Sequence, residues 1–521
     1  MHHNVLARVA APLVGAALIA TGLVTPAAGD DLVALPQAAA DSTSRTSAEA
    51  LLDRALAVKD GARAKAASAA APVDVTMLLR ELKVAMPALS PADRAVAQRL
   101  FARPTDSGGD TYLDYGATSE QTPVCGTHVC VHYVASSVNA ATADDVQQTL
   151  DVMEHVWGVY AKAGYKSPKG DGTKGGSGKF DVYLGQLADD SLYGYCTVDS
   201  EVARKTLPAY CVLDNDFADV IFNAHTPLQN LQVTAAHEFF HAIQFNYDYL
   251  EDPWFMEVSS TWAEDELYDS VNDNVQYLAG GQIGLPNWPL DLFEYGGTYH
   301  YGNWIWLRYL TEKFPTKAGG LPVIVRTMWR KAGDKMYSIQ AISSVLKSQK
   351  TSFAKEYALF AAKNRFARTF YAEGKAEHYP SASHTAVGTL PENSYTDWLS
   401  RKLRHQSSAS FKVSPSSVSG AWRLKVSVNG PAASHGPMAV VDRVTKKGKH
   451  TLTLMRLDKS GDGWLKVPFA SATTQQVVVT LVNAGTSYKK CSRKNPTTWF
   501  ACGGKPQDDR TYGIKFQVVK N

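Results

Sequence analysis

Residues 237 to 241 read His-Glu-Phe-Phe-His. On a helix, His237 and His241 stand one turn apart on the same face, so both imidazoles can reach a single Zn²⁺. Glu238 lies beside them, placed to hold a water on the ion and take its proton as a general base. The segment from Leu228 to Tyr247 contains no Pro or Gly, and Leu231, Ala235, Phe239 and Ile243 recur at helical spacing. A helix that apolar is expected to be buried. Two histidines and a glutamate inside it are costly unless something satisfies them, and a metal does. The competing reading is a pair of hydrogen-bonded core histidines.

A catalytic zinc takes three protein ligands and leaves the fourth position to water. One zincin subclass takes its third ligand from a His six residues after the second His, with a Gly at the third. Those positions hold Tyr247 and Gln244, which excludes that subclass. After the turn Asp248 to Pro253, the stretch Trp254-Phe-Met-Glu257-Val-Ser-Ser-Thr-Trp-Ala-Glu264-Asp-Glu-Leu reads as a second helix. Glu257, Thr261 and Glu264 share one face of it, which can look at the first helix. Asp252 is a weaker competitor for the metal.

HEFFHAIQFNYD followed after a short loop by WFMEVSSTWAEDE resembles the gluzincin metallopeptidases, especially the hyicolysin family and related secreted bacterial metalloproteases. The resemblance implies a zincin-like catalytic domain and an endopeptidase acting on peptide or protein with one Zn²⁺ per chain. In that family a Glu in a W-x-x-E-G context is the third ligand, which carries over to Glu257. Val258 stands where the family has Gly. Glu264 matches the family's second acidic position, open between ligation and orienting a ligand imidazole, with the second favoured. Tyr193 to Cys196 and Cys211 to Phe217 are similar to the family's strand region before the zinc helix, where an edge strand could pair with an extended peptide. Tyr299 to Tyr309 is similar to the start of a later helix, so Tyr301, and after it His300, are candidates to stabilise the oxyanion. An aromatic packed at a helix start is the other reading of Tyr301.

Around this centre the chain divides by composition. Residues 1–29 carry a basic start, an apolar run Val9 to Val24 and small residues to Gly29, the pattern of a cleaved secretory signal rather than a membrane anchor. Residues 30–72, rich in Ala, Ser and Thr, read as a low-complexity linker or fraying helix. Residues 73–109 show two amphipathic helical patterns broken at Pro87 and Ser90-Pro91. They are open between a pro-like segment over the site and a plain packing element. Residues 110–390 mix strands and long helical patterns, an α+β arrangement. The Gly-rich Lys169 to Lys179 lacks a phosphate-loop ending and reads as a surface turn.

From 391 to 521 short alternating runs predict a β-sandwich. Residues 400–521 contain 21 Lys and Arg against 5 Asp and Glu, a charge of +16, while the whole chain is +3, so the remainder carries −13. A basic module on an acidic body points to an anionic cell-surface polymer as partner, though Lys scattered evenly over a sandwich gives the same count. It shows no nucleic-acid motif. Six cysteines fall as three sequence-local pairs, Cys125 with Cys130, Cys196 with Cys211 and Cys491 with Cys502, suited to disulfides in an exported protein. The alternative to a peptidase is a non-catalytic secreted binding protein that uses the scaffold to carry its basic sandwich.

Overall fold

The computed structural model describes residues 46–59, 74–106, 113–116, 118, 120–203, 205–293, 297–493 and 496–521. The expected signal segment lies outside the described residues, and no helix among them is long and apolar enough to cross a membrane. Within the stretch expected to be a linker, Ala48–Lys59 forms helix α1 and buries Leu51, Leu52, Ala55 and Val58. The Ala-rich composition conceals that stripe at helical spacing, which corrects the linker reading for residues 48–59. Then come α2 (Val75–Ala85) and α3 (Pro91–Arg99), the latter capped by Ser90, whose side chain accepts from the Asp93 amide.

The next layer is a five-stranded sheet, β1 (Val124–Cys125), β2 (Val129–His132), β3 (Phe180–Gly185), β4 (Gly194–Thr197) and β5 (Tyr210–Asp214), in the order β1-β2-β3-β5-β4. Strands β2, β3 and β5 run parallel, and β1 and β4 pair antiparallel at the two edges. Helix α4 (Ala143–Lys162) makes the crossover between β2 and β3 that parallel pairing requires. Strands β3 and β5 are buried along their whole length, which fits sequences that are apolar apart from Asp181 and Asp214.

Against this sheet packs α5 (Pro227–Asp248), which carries His237 and His241. Its start follows from sequence: Thr226 and Gln229 form a reciprocal capping box with Pro227 at the first helical position. Tyr160 of α4 stacks on Phe240 with ring centroids 5.0 Å apart. The turn at 248–252 leads into α6 (Pro253–Leu267), where Pro253 again opens the helix. That turn is clamped from two distant parts of the chain. Arg80 of α2 donates to the Tyr249 and Glu251 carbonyls, and Arg493 pairs with the carboxylates of Asp248 and Glu251. Helices α7 (Tyr299–Gly302), α8 (Trp304–Lys313), α9 (Val323–Ala332), α10 (Ser338–Ser348) and α11 (Phe353–Asn364) complete this body.

The C-terminal part is two antiparallel-rich sheets face to face. One comprises β6 (Thr385–Leu390), β8 (Ser407–Pro415), β10 (Pro437–Thr445), β11 (His450–Leu454) and β13 (Thr474–Asn483), in the order β11-β10-β13-β8-β6. The other comprises β7 (Leu399–Leu403), β9 (Arg423–Asn429), β12 (Asp462–Pro468) and β14 (Arg510–Val519), in the order β12-β9-β14-β7. Phe411, Val441, Val479 and Leu481 from the first meet Leu424, Val426, Ile514 and Phe516 from the second in one core. The first strand, β6, precedes residue 391 and pairs parallel with β8. Its sequence Thr-Ala-Val-Gly-Thr-Leu has only a weak alternation. Three disulfides join Cys125 to Cys130, Cys196 to Cys211 and Cys491 to Cys502.

At the junction of the two bodies, His405 Nε2 lies 2.8 Å from Asp291 Oδ1, and Asp291 Oδ2 accepts from the Tyr488 hydroxyl at 2.6 Å and the Ala501 amide at 3.0 Å. Burial alone would lower the His405 pKa, but Asp291 and Asp509 raise it to about 9. A histidine whose folded pKa exceeds its unfolded value contributes stability that is complete below about pH 6.5 and is lost as the pH rises through the folded value. We predict that His405→Gln costs most near pH 6, about 3 kcal/mol by the size of that shift, and progressively less towards pH 10. Paired thermal melts across this range measure it; a constant gap would mean that the imidazole is neutral in the folded protein.

Candidate metal centre and its cleft

Helices α5 and α6 pack with their polar faces together. His237, His241 and Glu257 each offer a donor atom, and these atoms all lie within 4.8 Å of one another. Nε2 of His237 is 3.1 Å from one Glu257 oxygen, and Nε2 of His241 is 3.2 Å from the other. His241 and Glu257 are fully buried, whereas the His237 side chain is 13% exposed, so the trio is reached from the His237 side. His241 Nε2 and Glu257 Oε1, 3.2 Å apart, form no aligned hydrogen bond with each other or with any other group. Such atoms cost about 1–3 kcal/mol each when left unsatisfied. Two of them facing one point form an arrangement that a cation relieves, and a two-His, one-carboxylate set suits Zn²⁺.

The far side of each imidazole is held. His237 Nδ1 lies 2.6 Å from Glu264 Oε1, and His241 Nδ1 lies 2.8 Å from Gln244 Oε1. Gln244 is itself fixed, its amide nitrogen donating to the Met256 carbonyl and the Ser260 hydroxyl, both at 3.0 Å. Both rings therefore present Nε2 inward, and an acceptor on Nδ1 sets the tautomer that leaves Nε2 a lone pair. Glu264 sits behind His237, outside the trio. Asp252 is also outside it, capping α6 and accepting from the Ser338 hydroxyl.

Burial and charge separate the acids. Burial would raise the Glu257 carboxyl, but the imidazoles of His241 and His237 hold it down to about 2. For Glu264 burial prevails over His237 and pushes the carboxyl up to about 7. Burial lowers His241, whereas His237 is raised despite burial because Glu257 and Glu264 flank it. A metal binding there displaces that proton.

A cleft of about 110 Å³ opens beside the trio, lined among others by Asp74, Tyr193, Gly194, His237, Glu238 and Tyr301. Tyr301 stands edge-on to His237, with centroids 6.0 Å apart. Burial, with Asp74 and Glu257 nearby, raises its hydroxyl well above the usual phenol range, so it stays a donor. The chain is pinned there because a side chain on Gly302 would strike the backbone of Tyr277 and Gly281. His300 is fully buried behind Tyr301, against Phe293, and burial lowers it to about 4.

One side chain from outside the motif bonds Glu238, and a second lines the cleft near it. The Thr76 hydroxyl on α2 donates to Glu238 Oε2 at 2.9 Å and accepts from the Cys196 amide of edge strand β4 at 2.9 Å. Asp74 caps α2 through the Met77 amide, while its other oxygen is buried and unpartnered. Nothing local in residues 74–76 announces this contact, which spans 162 positions of sequence. Gln244 carried a signal, since it lies three residues after His241 on the same helical face. Another acidic set, Asp265, Asp269 and Glu373, is bridged by Arg308, 2.6 Å from both Asp265 and Glu373, so a guanidinium already occupies it.

No family model matches this chain, and no curated protein matches it. Among solved structures it is similar to a family GH115 4-O-methyl-α-glucuronidase with specificity for decorated arabinogalactans, at 7% identity and a TM-score of 0.15. That match covers 69% of this chain and 54% of the other, and a likeness at that score carries no argument about fold or activity.

Removing the acceptor behind a ligand imidazole should loosen the metal without removing a ligand. Gln244→Ala is expected to weaken Zn²⁺ binding by about 10- to 100-fold, measured by competition with a chromophoric chelator. Unchanged affinity would mean that Gln244 serves only to join α5 to α6.

Proposed function

We propose that this chain is a secreted zinc-dependent endopeptidase of the gluzincin type, with His237, His241 and Glu257 as metal ligands and Glu238 as general base. The observation that carries this reading is the convergence of the three donors beside a cleft that Glu238 and edge strand β4 also line. The edge strand supports a peptide as substrate, because an extended chain can pair with its outer edge once the Cys196 amide is released from Thr76. Three disulfides support an oxidising, extracellular compartment.

When bound, Zn²⁺ supplies Lewis acidity that lowers the pKa of a water and polarises a carbonyl. Glu238 takes the proton released as that water attacks, then delivers it to the departing amine. Tyr301, kept protonated by its surroundings, donates its hydroxyl to the oxygen on which negative charge develops. Glu264 and Gln244 hold the imidazoles in register throughout. The decisive comparison is Glu238→Gln with wild type, read as zinc content and hydrolysis of casein or a labelled peptide. The variant is expected to keep about one zinc and lose hydrolysis. Tyr301→Phe should keep zinc and lower kcat by about 10²- to 10³-fold. A wild type without zinc or hydrolysis would favour the binding-protein alternative.

Within this reading, residues 73–109 act as a pro-like segment. Thr76 engages the general base and the edge-strand amide together, two groups that a bound peptide and its attacking water would need. Limited proteolysis, followed by intact mass and activity, tests this. Hydrolysis should rise as the fragment carrying Thr76 is released; activity lost with the fragment would make α2 a permanent part of the enzyme.

A further inference from the structure

The sheet β12-β9-β14-β7 buries one face in the sandwich core and leaves the other uncovered. The uncovered face follows from the pairing register. Ser427 lies opposite Trp464 on one side and Lys515 on the other, and Lys425 lies opposite Lys466 and Gln517. Arg423 and Lys402 extend the same face by the two-residue period of their strands. Tyr395 bridges to Gln517, and the Trp398 ring lies over Gly513, where a Cβ would come within 3.2 Å of it. The lack of a side chain on Gly513 is what seats that ring against the strand.

Three aromatic rings on this face are exposed to a degree that folding does not require: Trp464 at 61%, Trp398 at 52% and Tyr395 at 65%. Two are accompanied by ammonium groups, Lys425 Nζ lying 5.3 Å from the Trp464 centroid and Lys515 Nζ 5.2 Å from that of Tyr395. Lys425 and Lys466 are like charges placed directly opposite across two strands, which destabilises the sheet. On the outward positions of these four strands the one acid is Asp462, at the end, where its carboxylate accepts from Asn429 at 2.7 Å. The like charges are thus left for something outside the chain to neutralise.

We propose that this face binds a linear acidic polysaccharide, with pyranose rings stacked on Trp464 and Trp398 and their carboxylates on Lys402, Lys425, Lys466 and Lys515. The C–H faces of a pyranose carry slight positive charge and fit the negative face of an indole, while uronate groups along the polymer supply the matching anions. A nucleic acid would also present rings and charge. However, phosphate recognition favours the forked guanidinium, and this face has four Lys to one Arg. The proposal is independent of the metal centre.

Affinity electrophoresis of the full chain through gels containing polygalacturonate, its fully methyl-esterified form, or neither provides the test, with a fluorescent oligo-dT shift run in parallel. Retardation is expected in polygalacturonate and not in the ester. Trp464→Ala and Trp398→Ala should each weaken it at least tenfold with unchanged melting temperature, Lys425→Gln with Lys466→Gln should flatten its salt dependence, and Glu238→Gln should leave it intact. Absence of retardation, equal retardation by the ester, unaltered binding by both Trp variants, or tighter binding of oligo-dT would each overturn the proposal.

Discussion

A carboxylate held at zero exposure between two imidazoles is the constraint on which the rest of the molecule turns. Glu257 cannot stay ionised in that position by burial alone; it does so because α5 and α6 bring His237 and His241 to its two oxygens. Every neighbouring feature serves that contact. The capping box fixes where α5 begins, the aromatic stack against α4 fixes how it lies on the sheet, and the turn at 248–252, paired with Arg493, fixes where α6 returns. A one-residue slip in either helix would turn a ligand by about 100° away from the trio.

The surroundings also assign different work to chemically similar groups. Glu257 is held strongly acidic, Glu264 is pushed towards neutrality, and Tyr301 is kept from ionising, although all three lie around the same ring, that of His237. The difference comes from burial and from what each faces: two imidazoles for Glu257, one imidazole with the carboxylates of Asp273 and Glu257 for Glu264, and the carboxylates of Asp74 and Glu257 for Tyr301. Such divergence within one cleft is typical of sites that move protons, and it also occurs in structural ion networks.

How far the chain could be read without coordinates depended on whether a signal was local. His237 and His241 were legible because helical spacing puts them on one face, Glu238 because it adjoins His237 in the motif, and Glu257 and Glu264 because their seven-residue spacing puts them on one face. The strands of the sandwich were legible where alternation was strong, as in Arg423–Asn429. Thr385–Leu390 and Ser407–Pro415 were not: the first has weak alternation, and the second is dominated by Ser whose burial depends on partners elsewhere. Thr76 and Asp74 were illegible for the same reason, since what they touch is decided by how α2 docks on β4. Gln244 lay between these cases, its face readable and its partner not.

The pairing of Arg493 with Asp248 and Glu251 bears on how the protein divides. This guanidinium comes from the loop closed by Cys491 and Cys502, yet it pairs with the buried carboxyl groups of Asp248 and Glu251 at the hinge joining α5 and α6. Stripping a buried ion pair of one member is among the costlier changes a protein can undergo. The sandwich is thus no detachable appendage: a chain ending near 390 would leave Asp248 with Lys205 alone and Glu251 without its guanidinium, at the hinge between the helices that carry His237, His241 and Glu257.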